Sequence, residues 1–424
     1  MPEFMILMTV FALLFSCGDR NDAENQQALA AEESLSDIQL EETPRTEKRN
    51  VVLILLESVR ARSVTPYNPE LETTPFLDEL ADESLLAERA YTIVPHTTKA
   101  LVAAECGIEP HLVREITESN PGGIPARCLA ELLGEQGYES VFFQPGGVDW
   151  EGRPQLVENF GHDDLISLED MNTEGFQMGN YFGYEDDIML EPSRLWLQQH
   201  GNKPFFATYK TLTPHHPYNT PTRYGTEDFA EDEVLNNYLN SVRYVDFFLE
   251  NLFEQYKEMG LYEDTIFVFY GDHGEGFMEH GRTQHDNVIW EEGLKVPLMV
   301  HDPQRFENGK RVDELANLTD IAPTVVDLLG YDLTNGEYPG YSLRDLPENR
   351  TLNFSCWYDD KCVASLQGQT KYIHHFDTRP DQVFNLQKDP LEENNLAAER
   401  PELVEKRREE LFEWREENDE LYNR

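Results

Sequence analysis

The chain has 424 residues, of which 39% are hydrophobic, and it carries 34 basic residues against 81 acidic ones. This length suffices for one large globular domain with a smaller appendage, and the hydrophobic content is ordinary for such a domain. The formal net charge of −47 at pH 7 excludes nucleic acid as an expected partner, because a polyanion would be repelled. We therefore expect a globular protein with a solvated acidic surface.

An apolar run from Met5 to Phe15 opens the chain and leads into Leu-Phe-Ser-Cys, which ends at Cys17. The run is too short to cross a bilayer and predicts an export leader, although no Lys or Arg precedes it. Its last four residues resemble the lipobox of bacterial lipoproteins, in which the cysteine receives the lipid. The resemblance implies a signal peptide over residues 1–17 and an exported cell-envelope protein anchored to a membrane through Cys17. An ordinary apolar N-terminal segment is the alternative.

Residues 18–49 are rich in Glu, Asp, Ala, Gln and Ser and show no apolar periodicity, which predicts an acidic disordered tether. Four cysteines follow the tether, and an exported chain meets an oxidising compartment. We expect two disulfides, Cys106–Cys128 and Cys356–Cys362, with buried free thiols as the alternative.

Short apolar runs recur along the chain and alternate with segments of helical spacing. The runs are NVVLILL, SVFFQ, PFFATYKTL, TIFVFYGD and VPLMV. This alternation predicts an α/β fold with a doubly wound, mostly parallel sheet and helices on both faces, over residues 50–345. In such sheets ligands bind beyond the carboxyl ends of the strands.

From about Leu352 the pattern changes to brief strand-like pieces broken by turn residues, followed by a charged helical stretch with Leu403, Leu411 and Trp414. Residues 346–424 are therefore predicted to form a small antiparallel sheet and a terminal amphipathic helix.

Polar residues follow two of the apolar runs directly. Asp272 and His273 sit on a glycine-flanked turn after TIFVFYG, and Glu57 closes NVVLILL. A carboxylate and an imidazole form half of a divalent-metal site, and Glu57 would supply a third ligand. A turn residue beside a surface histidine is the alternative for the Asp-His pair alone.

Thr97 and Thr98 stand at the predicted beginning of an Ala- and Leu-rich helix. Backbone N–H groups at a helix N-terminus favour an anion, and a neighbouring metal would activate a hydroxyl as a nucleophile. A structural N-cap is the alternative.

The chain resembles the sulfatase family of the alkaline phosphatase superfamily from about Asn50 to Leu396. The motifs that carry the resemblance occur in the family's order: NVVLILLES, TPFLDELA, PHTTKALVAAECG, YGDHGEG, EEGLKVPLMV, TDIAPTVVDLLG and VFNLQKDPLEENNLA. The resemblance implies that Thr97 is the nucleophile, with Thr98 as its rival. It also implies one divalent ion held by Glu57, Thr97, Asp272 and His273, with Mn²⁺ or Zn²⁺ expected before Ca²⁺ or Mg²⁺.

The resemblance further assigns His215, in the segment LTPHHPY, as a contact or proton donor for the ester oxygens, ahead of His216. The remaining substrate-binding candidates are His280, His285, Arg282 as an anion clamp, Thr98 and Lys99.

One departure from the family pattern bears on the reaction. Sulfatases carry a Cys or Ser that is converted to formylglycine, whereas this chain has Thr97, and formylglycine cannot form from it. Glu57 with Asp272 and His273 is similar to lipoteichoic acid synthases and phosphoethanolamine transferases. We therefore expect hydrolysis or transfer of a phosphate ester on a small-molecule, lipid or glycan substrate. The alternatives are a sulfuric ester hydrolase without formylglycine and a non-catalytic envelope lipoprotein.

Overall fold

The computed structural model describes residues 35–358 and 361–423, so the predicted leader, Cys17 and the first part of the predicted tether lie outside the described residues. The β-strands are β1 (Gln39–Glu41), β2 (Asn50–Leu56), β3 (Ser84–Tyr91), β4 (Glu139–Phe143), β5 (Asp164–Ile166), β6 (Met178–Asn180), β7 (Gly183–Tyr184), β8 (Phe205–Lys210), β9 (Thr265–Gly271), β10 (Gly276–Phe277), β11 (Thr283–Gln284), β12 (Lys295–Val296), β13 (Leu298–His301), β14 (Lys310–Asn317), β15 (Asp332–Thr334), β16 (Thr351–Ser355), β17 (Cys362–Gln367), β18 (Thr370–His375) and β19 (Gln382–Asn385). The α-helices are α1 (Pro75–Ala81), α2 (Thr97–Cys106), α3 (Leu129–Glu135), α4 (Arg153–Phe160), α5 (Leu190–His200), α6 (Glu233–Glu258), α7 (Glu291–Leu294), α8 (Ile321–Leu329) and α9 (Pro401–Tyr422).

The main sheet has nine strands in the order β12-β3-β13-β9-β2-β8-β4-β5, with β14 paired to β3. The strands β9, β2, β8, β4 and β5 run parallel to one another, and β13 is antiparallel to its neighbours. The predicted mostly parallel sheet is therefore confirmed, with an antiparallel strand inserted towards one edge.

The position of strand β2 in the sheet explains why its sequence is apolar throughout. Alternate residues of a strand point to opposite faces, and all seven residues of β2 are buried. Val51, Leu53 and Leu55 belong to one core cluster, with α2 and α8, whereas Val52 and Ile54 belong to a second, with α1 and α6. Helices thus cover both faces, and only loops at the strand ends can carry a reaction site.

The C-terminal part forms the predicted antiparallel sheet, in the order β16-β17-β18-β19. Helix α9 follows it and buries Leu411 and Trp414, which confirms the predicted amphipathic helix. Within the described ranges, no helix has both the length and the apolar character needed to cross a bilayer. The boundary at residues 345 and 346 stays a prediction.

Both expected disulfides are present. The bond between Cys106 and Cys128 joins the end of α2 to the beginning of α3, and the bond between Cys356 and Cys362 links β16 to β17. The first of these closes a loop behind the helix that begins at Thr97.

The predicted tether is wrong for residues 35–49. Strand β1 lies within that range and pairs antiparallel with β15, and Leu35, Ile38 and Leu40 are buried in the main core. A strand of three residues is too short to produce a periodic signal, which explains why the sequence pattern missed it.

Replacing Ile38 with alanine is expected to lower the free energy of unfolding by about 2–4 kcal/mol, because a fully buried aliphatic side chain is removed from the core. The exposed neighbour Gln39 is the matched control, and Gln39→Ala should change stability by less than about 0.5 kcal/mol. Urea unfolding of both variants measures the difference. Equal stabilities would contradict the docking of β1 on the domain.

Candidate functional site

Three of the predicted site residues meet at the carboxyl ends of adjacent strands. Strand β2 pairs in parallel with β9, with Leu56 beside Gly271, so Glu57 and Asp272 leave the sheet side by side. His273 Nε2 lies 3.7 Å from Glu57 Oε1 and 3.3 Å from Asp272 Oδ2. The predicted convergence of these side chains is confirmed.

Helix α2 brings Thr97 to the same point. The helix begins at Thr97, with His96 in extended conformation before it, and it ends at Gly107, whose φ of 63° favours glycine. Thr97 Oγ1 lies 3.4 Å from Glu57 Oε1 and 3.3 Å from Oε2, so the hydroxyl donates towards this carboxylate. The predicted helix start and the approach of Thr97 to Glu57 are both confirmed.

The donor set of Glu57, Asp272 and His273 fits a divalent cation. All three side chains are buried, and their ligand atoms lie within 4.8 Å of one another. Among the described residues, Asp272 Oδ2 and His273 Nε2 have no hydrogen-bond partner, although both are buried. Leaving such atoms unpaired is costly, and carboxylate oxygens with an imidazole nitrogen suit Mn²⁺ and Zn²⁺.

The charges around this cluster also favour a cation. Burial raises the pKa of Asp272 well above its ordinary range, and the negative charge of Glu57 raises it further. For Glu57, burial acts in the same direction, but Lys210, His215 and His273 together outweigh it and lower the pKa below the ordinary range. Lys210 ends strand β8, and its Nζ lies 2.9 Å from Glu57 Oε2. Two carboxylates share one buried site with a single ammonium group.

Two further histidines border the cluster. The ring of His285 stacks on His273 with centroids 3.9 Å apart, and its Nδ1 lies 3.0 Å from Glu275 Oε2. Burial lowers the pKa of His285, but the carboxylates of Glu275, Asp286 and Glu57 together outweigh burial and raise it to about 9. Burial lowers the pKa of His215 to about 4, so its imidazole is neutral at neutral pH. The role expected for His215, a contact or proton donor for the ester oxygens, stays a prediction.

These groups open onto a cavity of about 270 Å³. Glu57, Thr97, Lys210, His215 and His285 line it, and aromatic side chains flank it: Trp150, Tyr181, Phe182 and Trp357. An ester group placed here would meet a hydroxyl, an ammonium group and two imidazoles.

Sequence reasoning missed Arg153, which lines the same cavity. The side chain is 2% exposed, and its Nε and Nη1 have no hydrogen-bond partner within the described part of the chain. The nearest carboxylate, Glu151, is 3.9 Å from Nη2 and is already bonded to Thr98 and His96. A buried guanidinium with free donors at a cavity is suited to bind an anion. No motif in the sequence distinguishes Arg153 from a surface arginine.

Thr98 and Lys99 are not presented to the cavity as predicted. Thr98 is fully buried and donates to Glu151 Oε2 at 2.5 Å, which leaves Thr97 as the accessible hydroxyl. Lys99 Nζ lies 2.9 Å from both carboxylate oxygens of Glu118, in an ion pair with no exposed surface. The substrate contact predicted for Lys99 is corrected to a structural ion pair.

His280 and Arg282 also lie away from the cavity that Thr97 lines. His280 Nδ1 is 2.6 Å from Glu292 Oε1, and the ring stacks on Trp290 with centroids 4.5 Å apart. His280 lines a second cavity, and Arg282 lies between β10 and β11 without lining the first. Both residues lie in the loop of the short hairpin of β10 and β11, and neither belongs to the cluster of Glu57, Asp272 and His273.

Comparison with known proteins identifies two matching family models. The model of the Sulfatase family matches residues 49–331. The model of the C-terminal region of N-sulphoglucosamine sulphohydrolase matches residues 279–417. Together these matches span the main sheet and the small C-terminal sheet.

Two curated relatives differ in the activity that their names give. Lipoteichoic acid synthase 2 of Bacillus subtilis is 28% identical over 308 residues, which cover 68% of this chain and 46% of that protein. An arylsulfatase of Clostridium perfringens is 24% identical over 441 residues, covering 82% of this chain and 90% of that protein. The chain thus spans about half the length of the synthase and most of the arylsulfatase.

Solved structures share the fold. The lipoteichoic acid synthase LtaP of Listeria monocytogenes gives a TM-score of 0.71 at 18% identity, covering 94% of this chain and 98% of that one. A phosphonate monoester hydrolase of Agrobacterium radiobacter gives a TM-score of 0.64 at 18% identity, covering 87% of this chain and 96% of that one.

Proposed function

Since the chain belongs to the sulfatase family, we propose that it is a metal-dependent esterase that cleaves phosphate esters, of the phosphodiester or head-group type, through Thr97. The observation that carries the proposal is the position of Thr97. Its hydroxyl lies on the cavity, 3.3 Å from Glu57 Oε2, where the sulfatase pattern has a residue convertible to formylglycine.

Glu57, Thr97, Asp272 and His273 would hold the divalent ion, with Mn²⁺ or Zn²⁺ foremost and Ca²⁺ or Mg²⁺ as alternatives. A bound divalent ion supplies positive charge that favours deprotonation of a hydroxyl and stabilises charge developing on ester oxygens. The orphaned Asp272 Oδ2 and His273 Nε2 support this assignment.

The reaction proceeds in two displacements at phosphorus. The Thr97 oxygen forms a bond to phosphorus while the bond to the leaving alcohol oxygen breaks, and that oxygen takes up a proton. Water or a second alcohol then attacks the phospho-threonine, forms a new phosphorus–oxygen bond, and releases Thr97. Hydrolysis and transfer differ only in this second nucleophile.

Basic side chains around the cavity stabilise the phosphoryl oxygens. Arg153 contributes free N–H donors, Lys210 an ammonium group, and His285 an imidazole whose pKa lies above neutrality. These groups are already in place before substrate arrives, and preorganised donors of this kind stabilise the transition state most effectively.

Replacing Arg153 with glutamine is expected to lower kcat/KM for a phosphodiester by about 10²-fold, because the phosphoryl oxygens lose a charged donor. Arg153→Lys should recover only part of the loss, since an ammonium group lacks the planar fork. Arg194→Gln, which removes an exposed arginine paired with Glu258, is the matched control and should leave the rates unchanged. Steady-state kinetics that place Arg153→Gln within twofold of the native protein would remove Arg153 from the site.

Hydrolysis of sulfate esters by unmodified Thr97 is a second candidate, favoured by the arylsulfatase relative that this chain covers over 90% of its length. Three substrates with the same leaving group separate the candidates: bis-p-nitrophenyl phosphate, p-nitrophenyl phosphate and p-nitrophenyl sulfate. We expect one of the phosphate substrates to be cleaved fastest. Fastest cleavage of the sulfate would establish the second candidate, and no turnover by metal-loaded protein would favour a non-catalytic lipoprotein.

The proposed location is the cell envelope, with the lipid on Cys17 as the membrane anchor. We expect Cys17→Ala to release the protein from the membrane fraction in a bacterial expression host, because the thiol that accepts the lipid is lost. Cell fractionation and mass spectrometry of the whole protein measure the change, and Cys106 and Cys128 are not substituted. Unchanged membrane association and processing would contradict the anchor.

A further inference from the structure

A second cavity lies between the main sheet and the C-terminal segment of residues 386–393. Its volume is about 560 Å³, and it shares no lining residue with the catalytic cavity. We call it the junction cavity. It is lined on one side by Arg60, Arg62, Arg89 and Lys295 and on the other by Leu386 and Leu391.

The junction cavity is lined by four basic side chains and four carboxylates, and two of the basic side chains have no carboxylate partner among the described residues. Only 34 of 424 residues are Lys or Arg, yet four of them line this one cavity. Within residues 35–358 and 361–423, Lys295 forms no ion pair, and the side chain of Arg89 donates only to the backbone oxygen of Gly368. Both side chains therefore retain charge that a ligand can neutralise.

The remaining two arginines share a single carboxylate. Arg60 Nη1 lies 2.7 Å from Glu279 Oε1, and Arg62 Nη2 contacts the same oxygen. Each guanidinium has five N–H donors, so one carboxylate leaves several of them available. The pair carries one net positive charge next to Lys295 and Arg89.

The wall behind these side chains is fixed by a buried ion-pair network. Lys371 Nζ lies 3.1 Å from Glu291 Oε1 and 2.9 Å from Glu392 Oε1, and both Lys371 and Glu392 are buried. Glu392 Oε2 also accepts the N–H of Glu291 at 2.6 Å. The cavity is thus formed without a ligand, which lowers the entropic cost of binding one.

Hydrogen-bond acceptors and apolar surface complete the lining. Glu292, Glu393 and Gln369 present carboxylate and amide groups that can bind hydroxyls, and Leu386 and Leu391 present apolar surface. Cationic groups beside hydroxyl acceptors match a sugar or glycerol unit that carries an acidic substituent. We propose that the junction cavity is a second, non-catalytic binding site for a polyol or saccharide bearing a phosphate or sulfate group.

The site adjoins the backbone that carries the catalytic cluster. Arg60 Nη1 donates to the Glu275 oxygen at 3.1 Å, and the Glu275 N–H donates to the Glu292 oxygen at 2.9 Å. Glu275 also holds His285 on the catalytic side. His280, predicted from the sequence to bind substrate, lines the junction cavity instead. The inference does not require the proposed reaction, because it concerns binding alone.

Isothermal titration calorimetry of the full, metal-loaded chain tests the site. The probes are glucose 6-phosphate, galactose 6-sulfate and uncharged glucose, and Arg153→Gln provides a background with a weakened catalytic cavity. We expect the two charged sugars to bind with one site per chain in this background and glucose not to bind. Their relative affinities distinguish phosphate from sulfate as the preferred substituent.

Introducing Lys295→Gln into the Arg153→Gln background is expected to weaken binding of the charged sugars about tenfold or more, because a charge-assisted contact is lost. Lys310→Gln removes an exposed lysine outside the cavity and should leave affinity unchanged. Lys295→Arg should restore binding, and melting temperatures check that each variant folds. Equal affinities in Lys295→Gln and Lys310→Gln, equal binding of glucose, or no binding in the Arg153→Gln background would overturn the inference. Binding without turnover of any ester would instead refute the proposed function alone.

Discussion

Replacing Thr97 with alanine is expected to abolish ester cleavage, with kcat lowered by about 10³-fold or more, because the attacking oxygen is removed. The hydroxyl faces the catalytic cavity and lies within 3.4 Å of both oxygens of Glu57. Serine retains a hydroxyl, so Thr97→Ser should keep measurable activity. Initial rates with bis-p-nitrophenyl phosphate measure the three proteins.

Thr98→Val is the matched control, because it deletes the neighbouring hydroxyl and keeps the side-chain shape. Thr98 donates to Glu151 and is fully buried, so we expect a loss of no more than about tenfold. Mass spectrometry after substrate trapping should place a phosphate on the peptide that contains Thr97. A phosphate that persists in Thr97→Ala and disappears in Thr98→Val would transfer the role of nucleophile to Thr98.

The convergence of Glu57, Asp272 and His273 was predictable because the ends of neighbouring strands lie together. Glu57 and Asp272 each close an apolar run, and the carboxyl ends of adjacent parallel strands meet at one edge of the sheet. The helix signal predicted that Thr97 stands at a helix N-terminus, whereas its approach to Glu57 followed from the family resemblance. These predictions depend on the order of elements and not on the exact course of a loop.

The direction of neighbouring side chains was not predictable from proximity in sequence. Successive helical residues turn by about 100°, so Lys99 points away from the cavity that Thr97 faces. It finds Glu118 in the core instead. His280 departs from His285 for a related reason, because His280 lies in the loop between β10 and β11, whereas His285 follows β11.

Arg153 and Lys210 were missed for a different reason. Lys210 lies within the apolar run PFFATYKTL, where a lysine is expected to point to solvent, yet it is 7% exposed and bonded to Glu57. Arg153 owes its position to the turn of Glu151 and Gly152, both with positive φ. Neither the burial of a charge nor the path of a turn leaves a periodic signal in the sequence.

Removing divalent ions with a chelator is expected to abolish activity, and adding Mn²⁺ or Zn²⁺ should restore it. The same ions should raise the melting temperature of the chelated protein. An ion at a free concentration of about 100 times its Kd stabilises the folded state by about 2.7 kcal/mol. Elemental analysis of protein purified without chelator should find about one divalent ion per chain. No bound ion, together with no response of activity or melting temperature, would contradict the metal site.

Asp272→Asn separates metal binding from a structural role. Asparagine keeps an oxygen that can accept the N–H groups of Ser58 and His273, both bonded to Asp272 Oδ1 at 2.8 Å. It removes the charge beside Glu57, so the metal-free variant should be at least as stable as the metal-free native protein. The rise in melting temperature with Mn²⁺ should shrink in Asp272→Asn and persist in Asp264→Asn, an exposed control. If Asp272 had only a structural role, Asp272→Asn would lower the melting temperature equally with and without metal. The carboxylate would then be stabilising the fold and not holding an ion.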